Sequence, residues 1–147
     1  MTPAATGGIR TRDVADLRWL LEQFAERVVG VDAAVLLSAD GLLLARMSSM
    51  PVAEAELLSA TASALTGLAR SAGRQFDRGA AHQTAVEMDG GYLLVATAGQ
   101  GSSLAVLTAA DADLGQVVFE MQLLVRRVGD HLGVATRARG GGVGPAS

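Results

Sequence analysis

Three glycine-containing turn signals separate apolar runs in this sequence, and they constrain the fold more than any other feature. The turn signals are Asp40-Gly41, Asp89-Gly90-Gly91 and Gly99-Gln100-Gly101. The apolar runs that they separate are 31–38, 42–46, 81–88, 92–98 and 103–108. A short Asp-Gly turn between two apolar runs is typical of a β-hairpin. The sequence therefore predicts five strands in a mainly antiparallel sheet, and it excludes a doubly wound parallel fold.

Three helices are predicted around these strands. In the first, apolar residues recur every three or four positions, which marks one buried face: Val14, Leu17, Leu21, Phe24 and Val28. Asp13 is its predicted N-cap and Gly30 its stop. The second helix is predicted from the proline at position 51 to about Gly73, and the third begins after Asp111 or Asp113. The order α-β-β-α-β-β-β-α defines an α+β fold.

Local pairing of each hairpin predicts how the layers are arranged. The last strand then lies beside the first, which gives the sheet order 2-1-5-4-3. One helix covers one face of the sheet and two cover the other, in an α/β/α sandwich with profilin-like layering. Residues 1–12 are predicted to be a flexible leader, 13–132 the folded domain, and 133–147 a flexible Gly-rich tail.

Composition excludes several functions. The 147 residues include no cysteine, and all 12 basic residues are arginine, so thiolate chemistry and a P-loop lysine are absent. The net charge of −3 and the 3% aromatic content disfavour nucleic-acid binding. His82 and His131 lack metal-ligand spacing, and Gly99 to Gly101 lacks the third glycine of a dinucleotide fingerprint. The sequence predicts no catalytic residues, cofactor or metal, and hence no enzyme.

The second predicted helix contains no charged side chain from Leu57 to Ala69. One set of its residues is predicted to face the sheet: Leu58, Thr61, Leu65, Leu68 and Ala72. Beside it runs a small-residue stripe: Ala55, Ser59, Ala62, Thr66, Ala69 and Gly73. A solvated helix face normally carries charge, so this stripe is predicted to contact another helix, either of the same chain or of a partner. The alternative is a helix that is merely rich in alanine.

The third predicted strand has an unprotected edge. In the order 2-1-5-4-3 it lies at the border of the sheet, where proline, lysine or an inward charge usually prevents further pairing. Residues 81–86 contain none of these. His82, Thr84 and Val86 are therefore predicted, with the small-residue stripe, to form a dimer or partner interface.

Several segments resemble the roadblock/dynein light chain family, especially its bacterial MglB-like members of the conservon type. The matching segments are Gly30 to Leu42 at the first hairpin, Asp111 to Gly115 at the start of the last helix, Glu120-Met121, and Arg127 to Leu132. Together they cover nearly the whole predicted domain. Because these motifs are structural, they support the fold more strongly than a particular role.

The resemblance implies a homodimer in which the third strands pair and the second helices pack side by side. It also implies a regulator or scaffold of a Ras-like small GTPase, with a sensor-kinase-like protein of the same operon as a further partner. Arg70 and Arg74 lie on the relevant helix, but solvation and capping explain them as well as a catalytic role does.

The alternative is a small-ligand-sensing domain of PAS, GAF or profilin-like type. That function requires a cavity with convergent polar groups, and the sequence offers few. Residues 1–13 lack the apolar segment of a signal peptide, and no run of residues is long and apolar enough to span a membrane. The predicted location is the cytoplasm.

Overall fold

The computed structural model describes residues 11–97 and 101–139, which form three helices and five strands. In chain order the elements are α1 (Thr11–Arg27), β1 (Val31–Leu37), β2 (Leu43–Arg46), α2 (Val52–Gln75), β3 (Gln83–Met88), β4 (Gly91–Thr97), β5 (Ser103–Ala109) and α3 (Leu114–Arg139). This is the predicted order α-β-β-α-β-β-β-α.

The sheet confirms the predicted topology. Its strand order is β2-β1-β5-β4-β3, and each neighbouring pair is antiparallel. The central pair joins β1 to β5, with Val35 opposite Ala105 and Leu37 opposite Ser103. Strand β3 lies at one border of the sheet and β2 at the other.

Two apolar cores occupy the two faces of the sheet. Because side chains alternate along a strand, Ala34 and Leu36 of β1 join the core under α1 and α3, whereas Val35 and Leu37 join the core under α2. Arg27 of α1 and Glu120 of α3 form an ion pair of 3.3 Å beside the first core. The predicted sandwich, with one helix on one face and two on the other, is confirmed.

Several element boundaries differ from the prediction. Helix α1 begins at Thr11, so Asp13 lies in its first turn and is not the N-cap. Strand β3 begins at Gln83, later than the predicted position 81. At the start of α3, the Asp113 carboxylate accepts a hydrogen bond of 3.2 Å from the amide of Gln116, which identifies Asp113 as the cap.

Helix α3 continues to Arg139, beyond the predicted end of the domain at position 132. The sequence prediction placed the domain end where the apolar periodicity of this helix stops, and the helical backbone continues beyond that position. Positions 1–10 and 140–147, in the predicted leader and tail, lie outside the described residues. The domain limits 13–132 stay a prediction.

The C-terminal end of α2 is folded tightly against the segment that follows it. The carbonyl of Gly73 accepts hydrogen bonds from the amides of Arg78 and Gly79, at 2.7 and 3.2 Å. A Cβ atom on Gly73 would lie 2.0 Å from the carbonyl oxygen of Gly79, so a side chain there is excluded. Asp77 adopts φ 57° in this turn. The turn brings residues 79–82 alongside the last turns of α2.

Candidate interaction surfaces on helix α2 and strand β3

The small residues of α2 contact the protein's own sheet. Ala55 and Ala62 are fully buried, and Ser59 and Thr66 are only 1% and 8% exposed. The Thr66 hydroxyl donates a 2.9 Å hydrogen bond to the carbonyl of Ala62, so its polar atom is satisfied without a partner from outside the helix. The small-residue stripe is therefore part of the core between α2 and the sheet.

The predicted assignment of faces on α2 was thus wrong. Of the residues predicted to face the sheet, Leu58 is buried and Leu65 half-buried, whereas Thr61, Leu68 and Ala72 are exposed. The physical reason is close approach, because short side chains let the helix backbone lie near the sheet and the β1–β2 hairpin. A Cβ atom on Gly41 of that hairpin would lie 2.8 Å from the Ser63 hydroxyl.

Helix α2 presents an uncharged outer face to solvent. Leu57 and Leu68 are each 69% exposed, and the exposed positions between them are Ala60, Thr61, Ala64 and Gly67. We call these six residues the outer face of α2. The two leucines are eleven positions apart, which corresponds to about 16 Å along the helix axis. Large exposed apolar side chains in a continuous uncharged surface are typical of an interaction site.

Strand β3 presents the open border of the sheet. Within the described residues it pairs only with β4, from Gln83 opposite Ala96 to Met88 opposite Gly91. Its charged and amide side chains lie on the sheet face away from α2. There the Gln122 amide donates a 3.0 Å hydrogen bond to Gln83, and the Tyr92 hydroxyl donates a 3.4 Å bond to Glu87. The free backbone edge is available for another strand.

An apolar cavity connects these two surfaces. It has a volume of about 330 Å³ and is open to solvent. Its lining residues come from α2, the preceding loop and strands β1, β3, β4 and β5: Ala33, Met50, Glu54, Leu57, Leu58, Thr61, Met88, Leu93 and Leu107. Leu57 and Thr61 belong to the outer face of α2, and Met88 ends the edge strand. The three features form one continuous surface.

The predicted interface residues fall into two groups. Ala55, Ser59, Ala62 and Thr66 lie beneath α2 and present almost no surface, and Ala69 is half-buried. His82 is exposed just before β3, and Thr84 and Val86 are half-buried on the α2 side of that strand. Sequence analysis missed Leu57 and Leu68. The available signal was the full charge-free length of the helix, which allows an apolar surface on both sides.

The part of the chain that the structure describes contains no group of three or more His, Cys, Asp or Glu side chains that could hold a metal ion. Its helices include none that is long and apolar enough to cross a bilayer. Ser102 and Ser103 are buried at the start of β5, and the exposed Ser48 and Ser49 precede α2.

Comparisons with known proteins find a family match over most of the fold. The model of the Roadblock/LC7 domain matches residues 17–108, from α1 to β5. An uncharacterized protein of Methanocaldococcus jannaschii is 33% identical over 112 residues, which cover 76% of this chain and 94% of that protein.

Solved structures agree with this match. The crystal structure of a Roadblock/LC7 domain from Streptomyces avermitilis is 41% identical, with a TM-score of 0.74, and the alignment covers 79% of this chain and 97% of that one. A structure of MglB with tetrameric arrangement gives a TM-score of 0.75 over 86% of this chain and 94% of that one. At 14% identity, this second likeness shows the fold alone.

Proposed function

Because the chain belongs to the Roadblock/LC7 domain family, we propose that it is a homodimeric, non-enzymatic regulator or scaffold of a Ras-like small GTPase. The partners in this proposal are a second copy of the chain, the GTPase, and a sensor-kinase-like protein encoded in the same operon. Since such GTPases act inside the cell, the proposal places the protein in the cytoplasm.

One observation carries the self-association: the outer face of α2, the apolar cavity and the edge of β3 form one continuous, mostly apolar surface. A second copy related by a twofold axis offers the same surface, and a twofold interface pairs identical patches. Strand β3 then gains a pairing partner, and the exposed leucines leave water. In this proposal the interface consists of Leu57, Thr61, Leu68, His82, Thr84 and Val86.

We expect light scattering at micromolar concentration to give about twice the 15.0 kDa of one chain. Leu68→Arg is expected to weaken the dimer by more than about tenfold, because an unpaired charge buried in an interface costs about 3–5 kcal/mol. The fold of the protomer should be unaffected, since Leu68 is 69% exposed.

Phe119→Arg is the matched control for this variant. Phe119 is 60% exposed on α3, on the other side of the sheet, so the same new charge should leave the dimer intact. If the wild-type protein stays monomeric, the proposed homodimer is wrong. If the Leu68→Arg variant dimerises like the wild type, the outer face of α2 is not part of the interface.

The GTPase assignment is supported by the family and by the surface that a dimer would present. In the proposed dimer the two α2 helices lie around the twofold axis. The sides of these helices that are not buried in the interface would then form one surface for the GTPase. The switch loops of Ras-like GTPases are ordered by the γ-phosphate. A protein that contacts these loops therefore distinguishes the GDP and GTP states.

Calorimetry with the GTPase of the same operon tests this assignment. We expect binding with unequal affinity to the GDP form and to the form loaded with a non-hydrolysable GTP analogue. The chain alone should not hydrolyse nucleotide, because it has no lysine or P-loop to hold the β- and γ-phosphates. A failure to bind in both states would favour the small-ligand-sensing alternative.

A further inference from the structure

A second cavity lies on the same side of the sheet as α2, but at the opposite end of strand β3. Its volume is about 440 Å³, and it lies between the last turns of α2 and the ends of strands β3 and β4. Arg70 and Arg74 line it from the helix, and His82 and Thr97 from the strand ends. The tight turn at Gly73 holds residues 79–82 in place as its outer wall. We call it the basic cleft.

The basic cleft contains two arginine side chains, Arg70 and Arg74, that are not paired with an acidic side chain in the part of the chain that the structure describes. No acidic side chain of the described residues lines it, although the whole chain carries 15 acidic residues against 12 basic ones. Among the described residues, neither the Arg70 nor the Arg74 guanidinium has a hydrogen-bond or ion-pair partner. The contrast is with Arg27, which pairs with Glu120, and with Arg46, which donates to the carbonyl of Met50.

Helix capping accounts for only part of this arrangement. Arg74 lies in the last turn of α2, where the helix dipole favours a cation. Arg70 lies one turn earlier and is half-buried, so the dipole at the helix end does not account for its position in the same way. Two arginines four positions apart on a helix also repel each other. An anion between them would relieve this repulsion.

We propose that the basic cleft binds the phosphoryl group of a small phosphorylated molecule. A guanidinium presents a planar pair of N–H donors that matches two phosphate oxygens, and two guanidiniums on one wall can bind two edges of the same group. Across the cleft, the His82 ring and the Thr97 hydroxyl supply further hydrogen-bonding groups. A volume of about 440 Å³ is within the usual range for small-molecule sites, and it leaves space for the rest of the ligand.

Titration calorimetry at about 0.15 M salt, with inorganic pyrophosphate and with citrate as probes, tests the proposal. We expect saturable binding of pyrophosphate and weaker binding of citrate, whose carboxylates carry comparable charge without tetrahedral phosphoryl groups. Arg70→Gln and Arg74→Gln should each weaken pyrophosphate binding by about tenfold or more, because each removes charge-assisted hydrogen bonds. Circular dichroism would verify that both variants are folded.

Arg126→Gln is the matched control, since Arg126 is exposed on α3, which packs on the other face of the sheet. Its pyrophosphate affinity should stay within about twofold of the wild type. The proposal is overturned if pyrophosphate does not bind saturably, if citrate binds at least as tightly, or if Arg126→Gln weakens binding as much as the cleft variants. The measurement does not require the GTPase. Because His82 is also placed in the proposed dimer interface, the titration is repeated on the Leu68→Arg variant, so that its failure is separate from that of the dimer.

Discussion

Replacing Thr66 with arginine is expected to lower the free energy of unfolding by about 3–5 kcal/mol. Thr66 is 8% exposed between α2 and the sheet, and its hydroxyl is bonded within the helix. An arginine there must either bury an unpaired charge or push α2 away from the sheet. Either change removes much of the 5–15 kcal/mol by which a typical domain is stable.

Urea unfolding followed by circular dichroism measures this effect. The informative comparison is with Leu68→Arg on the same helix and Phe119→Arg on α3, which place the same group at positions 69% and 60% exposed. Measured at a concentration where the chain is monomeric, these two variants should stay within about 0.5 kcal/mol of the wild type. Wild-type stability in Thr66→Arg would mean that α2 does not bury its small residues against the sheet.

Replacing Gly91 with alanine is expected to cost several kcal/mol, about as much as a severe core substitution. Gly91 begins β4 with φ 155°, and a Cβ atom on it would lie 1.9 Å from the carbonyl oxygen of Thr108. That oxygen belongs to β5, which is paired on both sides, so it cannot move without disturbing the centre of the sheet. The methyl group can be accommodated only by breaking the β4–β5 register.

The neighbouring glycine provides the control for this variant. A Cβ atom on Gly90 has nothing within 4 Å, and Gly90 is not in a left-handed conformation. Gly90→Ala should therefore change the thermal midpoint little, whereas Gly91→Ala should lower it by more than about 10 °C. Equal midpoints for the two variants would contradict the close contact between Gly91 and β5.

The antiparallel sheet was predictable because its determinants are local. Each predicted hairpin depended on a turn of two or three residues containing glycine or aspartate, and Gly41, Gly91 and Gly101 do adopt positive φ in the structure. With the hairpins paired locally, the placement of β1 beside β5 leaves only the strand order β2-β1-β5-β4-β3. The small errors occurred at element ends, such as Thr11 of α1 and Gln83 of β3, where the residue pattern changes gradually.

The orientation of α2 was not predictable from periodicity, because both of its long sides are uncharged. The rule that larger apolar side chains face the core predicted burial of Leu68, which is exposed. Contact with the sheet was decided by the shorter side chains of Ala55, Ala62 and Thr66, which permit a closer approach. The basic cleft was also beyond sequence analysis, since the chain turn at Gly73 brings His82 close to Arg70 and Arg74 in space.

The pairing of the first strand with the last has a consequence for how the chain folds during synthesis. Val35 pairs with Ala105, so the central ladder joins segments about 70 positions apart. Until β5 has left the ribosome, the β1–β2 and β3–β4 hairpins can form locally. They cannot yet combine into one sheet, because β5 is the strand that lies between β1 and β4. Contacts of long sequence separation are slow to form because the intervening chain must first be ordered. Both cores include β5 residues, and β5 comes after two thirds of the chain. The domain thus acquires its stability only after β5 has been synthesised, in one late step.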